Sequence, residues 1–499
     1  MRPVSSVAGV RAAEAGAGVP ESELMARAAF ALADTCVDLL SERRGRVTGS
    51  RVVAVVGSGN NGGDALWALV GLARRGCGVV AVGVPERMHP TGLAAARRAG
   101  ARVLDWTDPT AAAALTEADL VLDGVVGIGG RGGLSGPAAE LFGLVQAPVV
   151  AVDVPSGVTA DTGEVTGPAV RAAVTVTFGT LKAGLVVAPG RTHAGALRVA
   201  DIGLAEDPSP LAHVLDLADL AAPQAADKDH KYSRGVVGIR AGSRAYPGAA
   251  LLAVGGARAS GAGMIAFASA SGQEGLADPV AALVIAHAPE VVLAPRAADA
   301  WCVGPGLGEG GDQRKAVQEA LATTAAVVLD ASALDLLRTS TGLSVLTERA
   351  ATGAVTVLTP HTGEFQRLGF DLAGGPLQAA RAAAREIGAV IVLKGPGTVV
   401  AAPDGTTFVD TYGTSALASA GTGDVLAGLL AGRLATAMRA SGTLPLSEVA
   451  HIAAAAVGLH GLAGRLASDG GRPVTASDVV SALPRAGGLA AAARAEVNR

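Results

Sequence analysis

The sequence predicts an α/β protein built from two doubly wound domains, and three observations carry that expectation. At 499 residues the chain has room for two or three domains of roughly 100 to 200 residues each. Continuous valine-rich runs alternate with Ala-rich segments, the pattern of strands buried on both faces of a parallel sheet rather than strands with one wet face. That pattern also runs, breaks and restarts. "RVVAVVG", "GVVAVGV", "ADLVLDGVVG", "APVVAVDVP" and "AAVTVTFG" come first, and "GVVGIRAG", "GMIAFAS", "WCVGPGLG", "AAVVLDAS", "AVTVLTP", "AVIVLKG" and "GTVVAAP" come last. Between them lies "AEDPSPLAHVLDLADLAAPQAADKD", rich in Pro, Asp and Ala and without a strong strand, where the boundary is placed. The expected domains are residues 1–210 and 215–495. No motif recurs between the halves, so an internal duplication is not expected.

Composition narrows the class. Forty Lys and Arg against 44 Asp and Glu give a net charge of −4, without a block of like charge. Nothing electrostatic points to a nucleic acid or an acidic membrane as partner. Cys36, Cys77 and Cys302 are far apart, and no His pair stands at i, i+4. A disulfide framework and a histidine-based metal site are therefore not expected, and a reducing, cytoplasmic setting is. The N-terminus "MRPVSSVAGVRAAEAG" interrupts its apolar residues with charges and does not read as a signal peptide. No apolar run reaches the ~18 residues of a membrane span.

The first strand, "RVVAVVG", runs into "GSGNNGGD", where Gly57, Gly59 and Gly62 form G-x-G-x-x-G, and "GDALWALVGLARRG" reads as the helix behind. Backbone N–H groups at a helix N-terminus hold anions, so a dinucleotide-binding loop is one reading. Against it, the acidic ribose clamp expected at the end of the second strand is missing, since "VVAVGVPERM" reaches Glu86 only after Gly83 and Pro85. Asn60, Asn61 and Asp64 instead supply amides and a carboxylate, which suit a polar ligand and a weakly bound cation. Asp123 in "LVLDGVVGIGGRGGL", and Asp153 with Ser156 in "VVAVDVPSG", stand at further strand ends, where open α/β sheets bind ligands. Each alone reads equally as a cap or turn residue. Together they form a constellation.

In this order and spacing, "GSGNNGGD", "LDGVVGIGGRGG" and "DVPSG" resemble the NAD(P)H-hydrate epimerase family, the YjeF N-terminal domain, a Rossmann-like fold. The resemblance implies that Asn60, Asn61, Gly62, Gly63, Asp64, Gly127, Ile128, Gly129, Gly130, Arg131, Gly132 and Gly133 bind the hydrated nucleotide. It places Asp153 beside the reacting carbon as the catalytic carboxylate and gives Asn61, Asp123 and Ser156 to potassium. Two residues depart from the pattern: Ala65, where a small Gly is frequent, and Ala26, where a Glu is usual. In the hydrate, water has added across a nicotinamide double bond, so C6 carries both a ring nitrogen and a hydroxyl. Inverting that carbon needs proton transfer at or near the hydroxyl, a task for a positioned carboxylate worth about 10²- to 10⁴-fold.

The second half carries a different set. "SALASAGTGDVLAGLLAGRLATAM" places Gly421, Thr422 and Gly423 ahead of Asp424 at the start of a long helix, an anion hole beside a candidate base. Helix N-termini also favour Asp for no catalytic reason. "AVIVLKGPGTVVA" sets Lys394 at a strand end before Gly395, Pro396, Gly397 and Thr398, while "VLTPHTGEFQRL" adds His361 and Glu364. No G-x-x-x-x-G-K-[ST] is present, which excludes a P-loop.

These elements, from "HKYSRG" to the "GTGDVLAG" helix, resemble the ADP/ATP-dependent NAD(P)H-hydrate dehydratase family, the ribokinase-like YjeF C-terminal domain. The resemblance implies that residues 394–398 and Gly423 bind the adenine nucleotide, that Ala249, Gly306 and His361 bind the hydrate, and that Asp424 is catalytic. Ser332 stands where a second Asp is usual. The implied partners are hydrated NADH and NADPH, with ADP as phosphoryl donor, magnesium as its counter-ion, and a closed homo-oligomer as the assembly. A ribokinase-type small-molecule kinase with a non-catalytic Rossmann-like nucleotide-binding domain is the alternative reading.

Overall fold

The computed structural model describes residues 1–84, 87–130, 132–269, 275–293, 297–308, 310–338 and 340–498. The chain divides into two compact units, residues 2–212 and residues 213–499 together with Met1.

In the first unit the valine-rich runs form a seven-stranded sheet. Its order is Arg102–Asp105, Gly78–Gly83, Arg51–Val56, Leu120–Gly124, Val149–Val152, Val174–Phe178 and Ala196–Ala200, with every neighbouring pair parallel. Alternation along the first strand shows why the runs are continuous. Val52, Ala54 and Val56 pack with Leu32, Leu66 and Leu69 of the helices on one face, while Val53 and Val55 pack with Leu115 and Leu141 on the other. Both faces are dry, so every position of the strand is apolar. From Arg51–Val56 the chain first adds strands to one side and then returns to place Leu120–Gly124 on the other. The reversal opens a crevice at the strand ends between these two neighbours, the usual ligand position in such sheets.

The second unit orders its strands Val292–Leu293, Met264–Phe267, Val236–Arg240, Ala300–Val303, Ala326–Leu329, Thr356–Leu358, Val390–Leu393, Val399–Ala401, Thr407–Val409 and Ala212–Val214. The pairs up to Val390–Leu393 are parallel. The next two are antiparallel. Residues 394–398 are too few for a parallel crossover, which takes about a dozen or more, so "KGPGT" has to be a hairpin turn. The segment expected to lack a strong strand contributes Ala212–Val214, whose His213 pairs with Phe408.

The helices Pro247–Arg258 and Thr422–Ser441 meet almost backbone to backbone. A Cβ on Gly428 would stand 1.9 Å from the Ala253 carbonyl oxygen, and one on Gly256 would stand 2.0 Å from that of Val425. This contact sets Thr422–Ser441 rigidly behind the sheet and so fixes where its N-terminus opens. The helix Leu446–Ala467 is long and apolar enough to cross a membrane, although no uninterrupted apolar run predicted one, and 67% of its most apolar window is packed inside the unit.

Candidate active sites

In the first unit the helix Asn60–Arg74 begins at Asn60 with Gly59 as its cap. Asn60, Asn61 and Gly62, which the sequence suggested as loop ahead of a helix from Gly63, therefore belong to the first helical turn. Gly62 is needed there, because a Cβ would come within 2.3 Å of the Gly57 carbonyl oxygen. Gly63 packs against His89 and Met25, and Ala65 fills the space beside Gly124, where a Gly is frequent in the family pattern. Asn61 turns its amide towards Gly127, with Oδ1 2.8 Å from where a Cβ would sit, and its Nδ2 is buried without a partner.

Behind Asn61 lies a fully buried carboxylate. Asp123 Oδ1 accepts from Ser156 Oγ at 2.6 Å and Oδ2 accepts from the Ser156 amide at 2.7 Å. Burial pushes the Asp123 carboxyl up to about 6 against the pull of these hydrogen bonds. Ser156 Oγ also lies 3.3 Å from the Val126 carbonyl oxygen. One carboxylate, a hydroxyl, a carbonyl and the Asn61 amide thus gather at this strand end, and their oxygens are the kind that a monovalent cation takes. Among the described residues no group of three His, Cys, Asp or Glu could hold a metal ion. The 127–133 loop follows: Ile128 packs against the cluster that includes Val154, Val158 and Leu185, Gly130 lies on Val126, Gly132 takes a left-handed φ of 74°, and Gly133 abuts Gly167. Gly129 also belongs to this loop, and Arg131 lies outside the described residues.

Asp153 ends the strand Val149–Val152 with φ at +64°. A non-glycine residue held there costs of order 1–3 kcal/mol and persists only where its surroundings over-determine it. They do so here. Asp153 Oδ1 accepts from Lys182 Nζ at 2.7 Å, from Thr177 Oγ1 at 3.1 Å and from the Phe178 amide at 3.3 Å. Lys182, 1% exposed, also donates to Thr177 Oγ1 and to the Phe178 carbonyl at 2.9 and 2.8 Å, so its three protons are committed. Sequence reasoning missed Lys182. The available signal was a lone lysine inside the apolar "FGTLKAGLVV".

The second unit repeats this arrangement at Asp330, which ends Ala326–Leu329 and precedes Ala331 at φ +46°. Asp153 and Ala331 are the only non-glycine residues with positive φ among those described. Asp330 Oδ1 accepts from Lys394 Nζ and from Thr359 Oγ1, each at 2.7 Å. Lys394 Nζ lies 3.9 Å from Glu364 Oε2 and would be 3.3 Å from a Cβ on Gly423. Burial alone would lower the Lys394 ammonium, yet Asp330, Glu364 and Asp424 together leave it raised. Asp424 sits in the first turn of Thr422–Ser441, whose cap Gly421 is left-handed. Burial, and then the charge of Asp330, push its carboxyl up to about 7, with Lys394 opposing. Lys394, Gly423 and Asp424 thus lie together, around an Asp330 that the sequence reading passed over although it stands at a strand end as Asp123 and Asp153 do.

The remaining predicted residues surround this cluster. His361 caps its own helix, with Nδ1 accepting from the amides of Gly363 and Glu364 at 3.0 and 3.3 Å, while Nε2 faces Glu364 Oε1 at 3.6 Å on a half-exposed ring. Gly306, at φ +61°, lies against Ala249, where a Cβ would come within 2.5 Å of the alanine methyl. Ser332 Oγ accepts from the Gly308 amide at 3.1 Å and so ties the 304–308 loop to the Asp330 turn. Residues 395–397 form the hairpin turn, closed by Thr398 Oγ1 donating to the Gly395 carbonyl at 3.1 Å.

Comparison with known proteins agrees with this division. A family described as YjeF-related protein N-terminus matches residues 21–184, and one described as NAD(P)H-hydrate dehydratase matches residues 237–485. The bifunctional NAD(P)H-hydrate repair enzyme Nnr of Mycobacterium tuberculosis is 43% identical over 460 residues, 88% of this chain and 90% of that one. The chain belongs to the bifunctional NAD(P)H-hydrate repair enzyme family. The Mycobacterium leprae member is 42% identical over 92% of this chain and 94% of its own. Among solved structures, the ADP/ATP-dependent NAD(P)H-hydrate dehydratase of Bacillus subtilis, co-crystallised with ATP and magnesium, aligns at 30% identity and a TM-score of 0.43, covering 54% of this chain and 94% of that chain.

The Lys182 contact has a direct consequence for stability. Removing one partner of a buried ion pair costs about 3–5 kcal/mol, so Lys182→Met is expected to weaken the first unit by that amount. Native-state hydrogen exchange of the Val149–Val152 amides measures it, and protection equal to wild type would show that the pair does not hold the strand end.

Proposed function

We propose that the chain repairs hydrated NADH and NADPH by two reactions in one polypeptide. Residues 1–210 interconvert the R and S hydrates, and residues 215–495 dehydrate the S form to NAD(P)H while ADP becomes AMP and phosphate. The observation that carries this reading is the presence, in one member of the family, of two separate strand-end carboxylate sites. In one the ammonium, Lys182, is 1% exposed with its three protons committed within the protein, and in the other Lys394 is 20% exposed beside the N-terminus of Thr422–Ser441.

In the first site Asp153 takes part in proton transfer at the C6 hydroxyl, with residues 60–64 and 127–133 holding the nucleotide. Asn61, Asp123 and Ser156 would hold potassium, which would fix the carboxylate end of the crevice as a charge-balanced anchor. In the second site Asp424 accepts the C6 hydroxyl proton as that oxygen attacks the terminal phosphorus of ADP, and the P–O bond to the departing AMP breaks. The phosphate ester then leaves C6 with its electron pair, a proton is lost from C5, and the C5–C6 double bond returns. Lys394 and the Gly423 amide face the phosphoryl group, while Gly306, Ala249 and His361 border the hydrate. Magnesium suits ADP as a counter-ion carried on phosphates and waters.

Three outcomes test this reading. Given mixed hydrate with excess ADP, Asp153→Ala should convert the S fraction quickly and then stall, as seen by absorbance of the reduced ring. Conversion to completion at the wild-type rate would remove Asp153 from the epimerisation. Asp424 must be ionised to accept a proton, and its raised value of about 7 sets the limb. Dehydration kcat/KM should fall about tenfold per pH unit below that value and level off above it. A flat profile across the same range would refute the base assignment. Potassium should support epimerisation better than lithium after exhaustive exchange, and equal rates in the two salts would discard the ion.

A further inference from the structure

We propose that Asp64 is the general acid that works opposite Asp153 in the epimerisation, an inference that rests on the epimerase reading of residues 1–210. Asp64 lies in the first turn of Asn60–Arg74, at the crevice where the strand order reverses, and is 8% exposed. The other carboxylates of this sheet edge are engaged, Asp123 by Ser156 and Asp153 by Lys182. Asp64, in contrast, takes no hydrogen bond and no ion pair from any described residue. A carboxyl buried that deeply without a partner among the described residues is left to bond what enters the crevice.

The charges around Asp64 favour the proton-bearing form. Burial first, and then Asp153, Glu14 and Glu21, hold its carboxyl well above the usual range, and no cation contributes. Glu14 comes from the helix Val7–Ala15 and is itself raised by burial and by Asp153, with Lys182 and Arg11 opposing. Glu21 opens the next helix and accepts from Asn60 Nδ2. His89, whose ring lies against Gly63, accepts from the Gly92 amide at 3.3 Å and caps its own helix. Lys182 cannot reach across, since its three protons are spent on Asp153, Thr177 and Phe178. Asp153 is thus paired with an ammonium, while Asp64 has carboxylates and no cation among the charges that act on it.

The step balances with water as the only co-reactant. Asp64 gives its proton to the C6 hydroxyl, and the C6–O bond breaks with its electron pair leaving on water. The ring nitrogen lone pair closes a C6–N iminium. Water adds to the opposite face of C6 and loses its proton to the Asp153 carboxylate, giving the inverted alcohol. Proton exchange with solvent resets the two carboxyls, and the reverse direction uses them with roles exchanged.

The test compares wild type, Asp64→Asn and Asp64→Glu for conversion of purified R hydrate to S across a pH series. Wild type should lose rate as pH rises through the Asp64 titration. Asp64→Asn should lose about 10²- to 10⁴-fold in kcat with a smaller change in KM, and its high-pH limb should vanish. Asp64→Glu should recover part of the rate and restore the limb. An Asn variant that keeps the wild-type kcat, or that loses rate with the limb intact, would overturn the acid role, the second outcome marking Asp64 as a binding or structural residue. Failure of wild type to epimerise would instead sink the functional reading itself, which keeps the two failures distinct.

Discussion

An ammonium, buried at Lys182 and partly buried at Lys394, set 2.7 Å from the carboxylate that ends a strand is the contact on which both sites depend. It is costly to build, because burying two charges loses more hydration than their attraction returns unless other hydrogen bonds complete the set. Thr177 and the Phe178 backbone complete it around Lys182, and Thr359 helps to do so at Asp330. In each unit the acidic strand end is also one where the chain turns through positive φ without a glycine, at Asp153 itself or at Ala331. The ion pair and the strained turn support one another: the turn aims the carboxylate, and the ammonium keeps the turn from relaxing.

The sheets explain why the polar groups collect where they do. With both faces of the strands packed under helices, the interior offers no place for a charge, and the carboxyl ends of the strands are where side chains can meet a ligand. In the second unit the same logic extends to helix placement. Gly256 and Gly428 let two helices touch at backbone distance, and the end of one of them carries Gly421, Gly423 and Asp424 to the cluster. A composition with 69 glycines is the expression of many such close approaches.

The parallel architecture was legible because valine-rich runs with two dry faces leave a continuous signal. Asp123, Asp153 and Asp424 were legible because each follows a strand or opens a helix with glycines beside it. The antiparallel ending of the second sheet was not seen, because single strands carry no mark of direction and only the shortness of residues 394–398 decides it. Lys182 escaped because its partner lies 29 residues away in sequence, a separation that only the folded sheet closes. Asp330 was passed over through attention to the departure at Ser332, although its position obeyed the rule that found the others. The start of the helix at Asn60 was missed because two asparagines and a glycine read as loop, whereas the cap at Gly59 and the packing of Gly62 on Gly57 make them a helical turn.

The hairpin at residues 394–398 also limits how such a chain can diversify. Its legs, Val390–Leu393 and Val399–Ala401, are buried core strands in fixed register, with Leu393 opposite Val399. A one-residue slip of either leg against the other would turn Val400 away from the core it fills. Loop length can therefore change here only where the added residue stays in the turn and leaves that register intact. A ligand preference that depends on this turn then changes most directly by side-chain exchange within it, or by movement of the elements that face it.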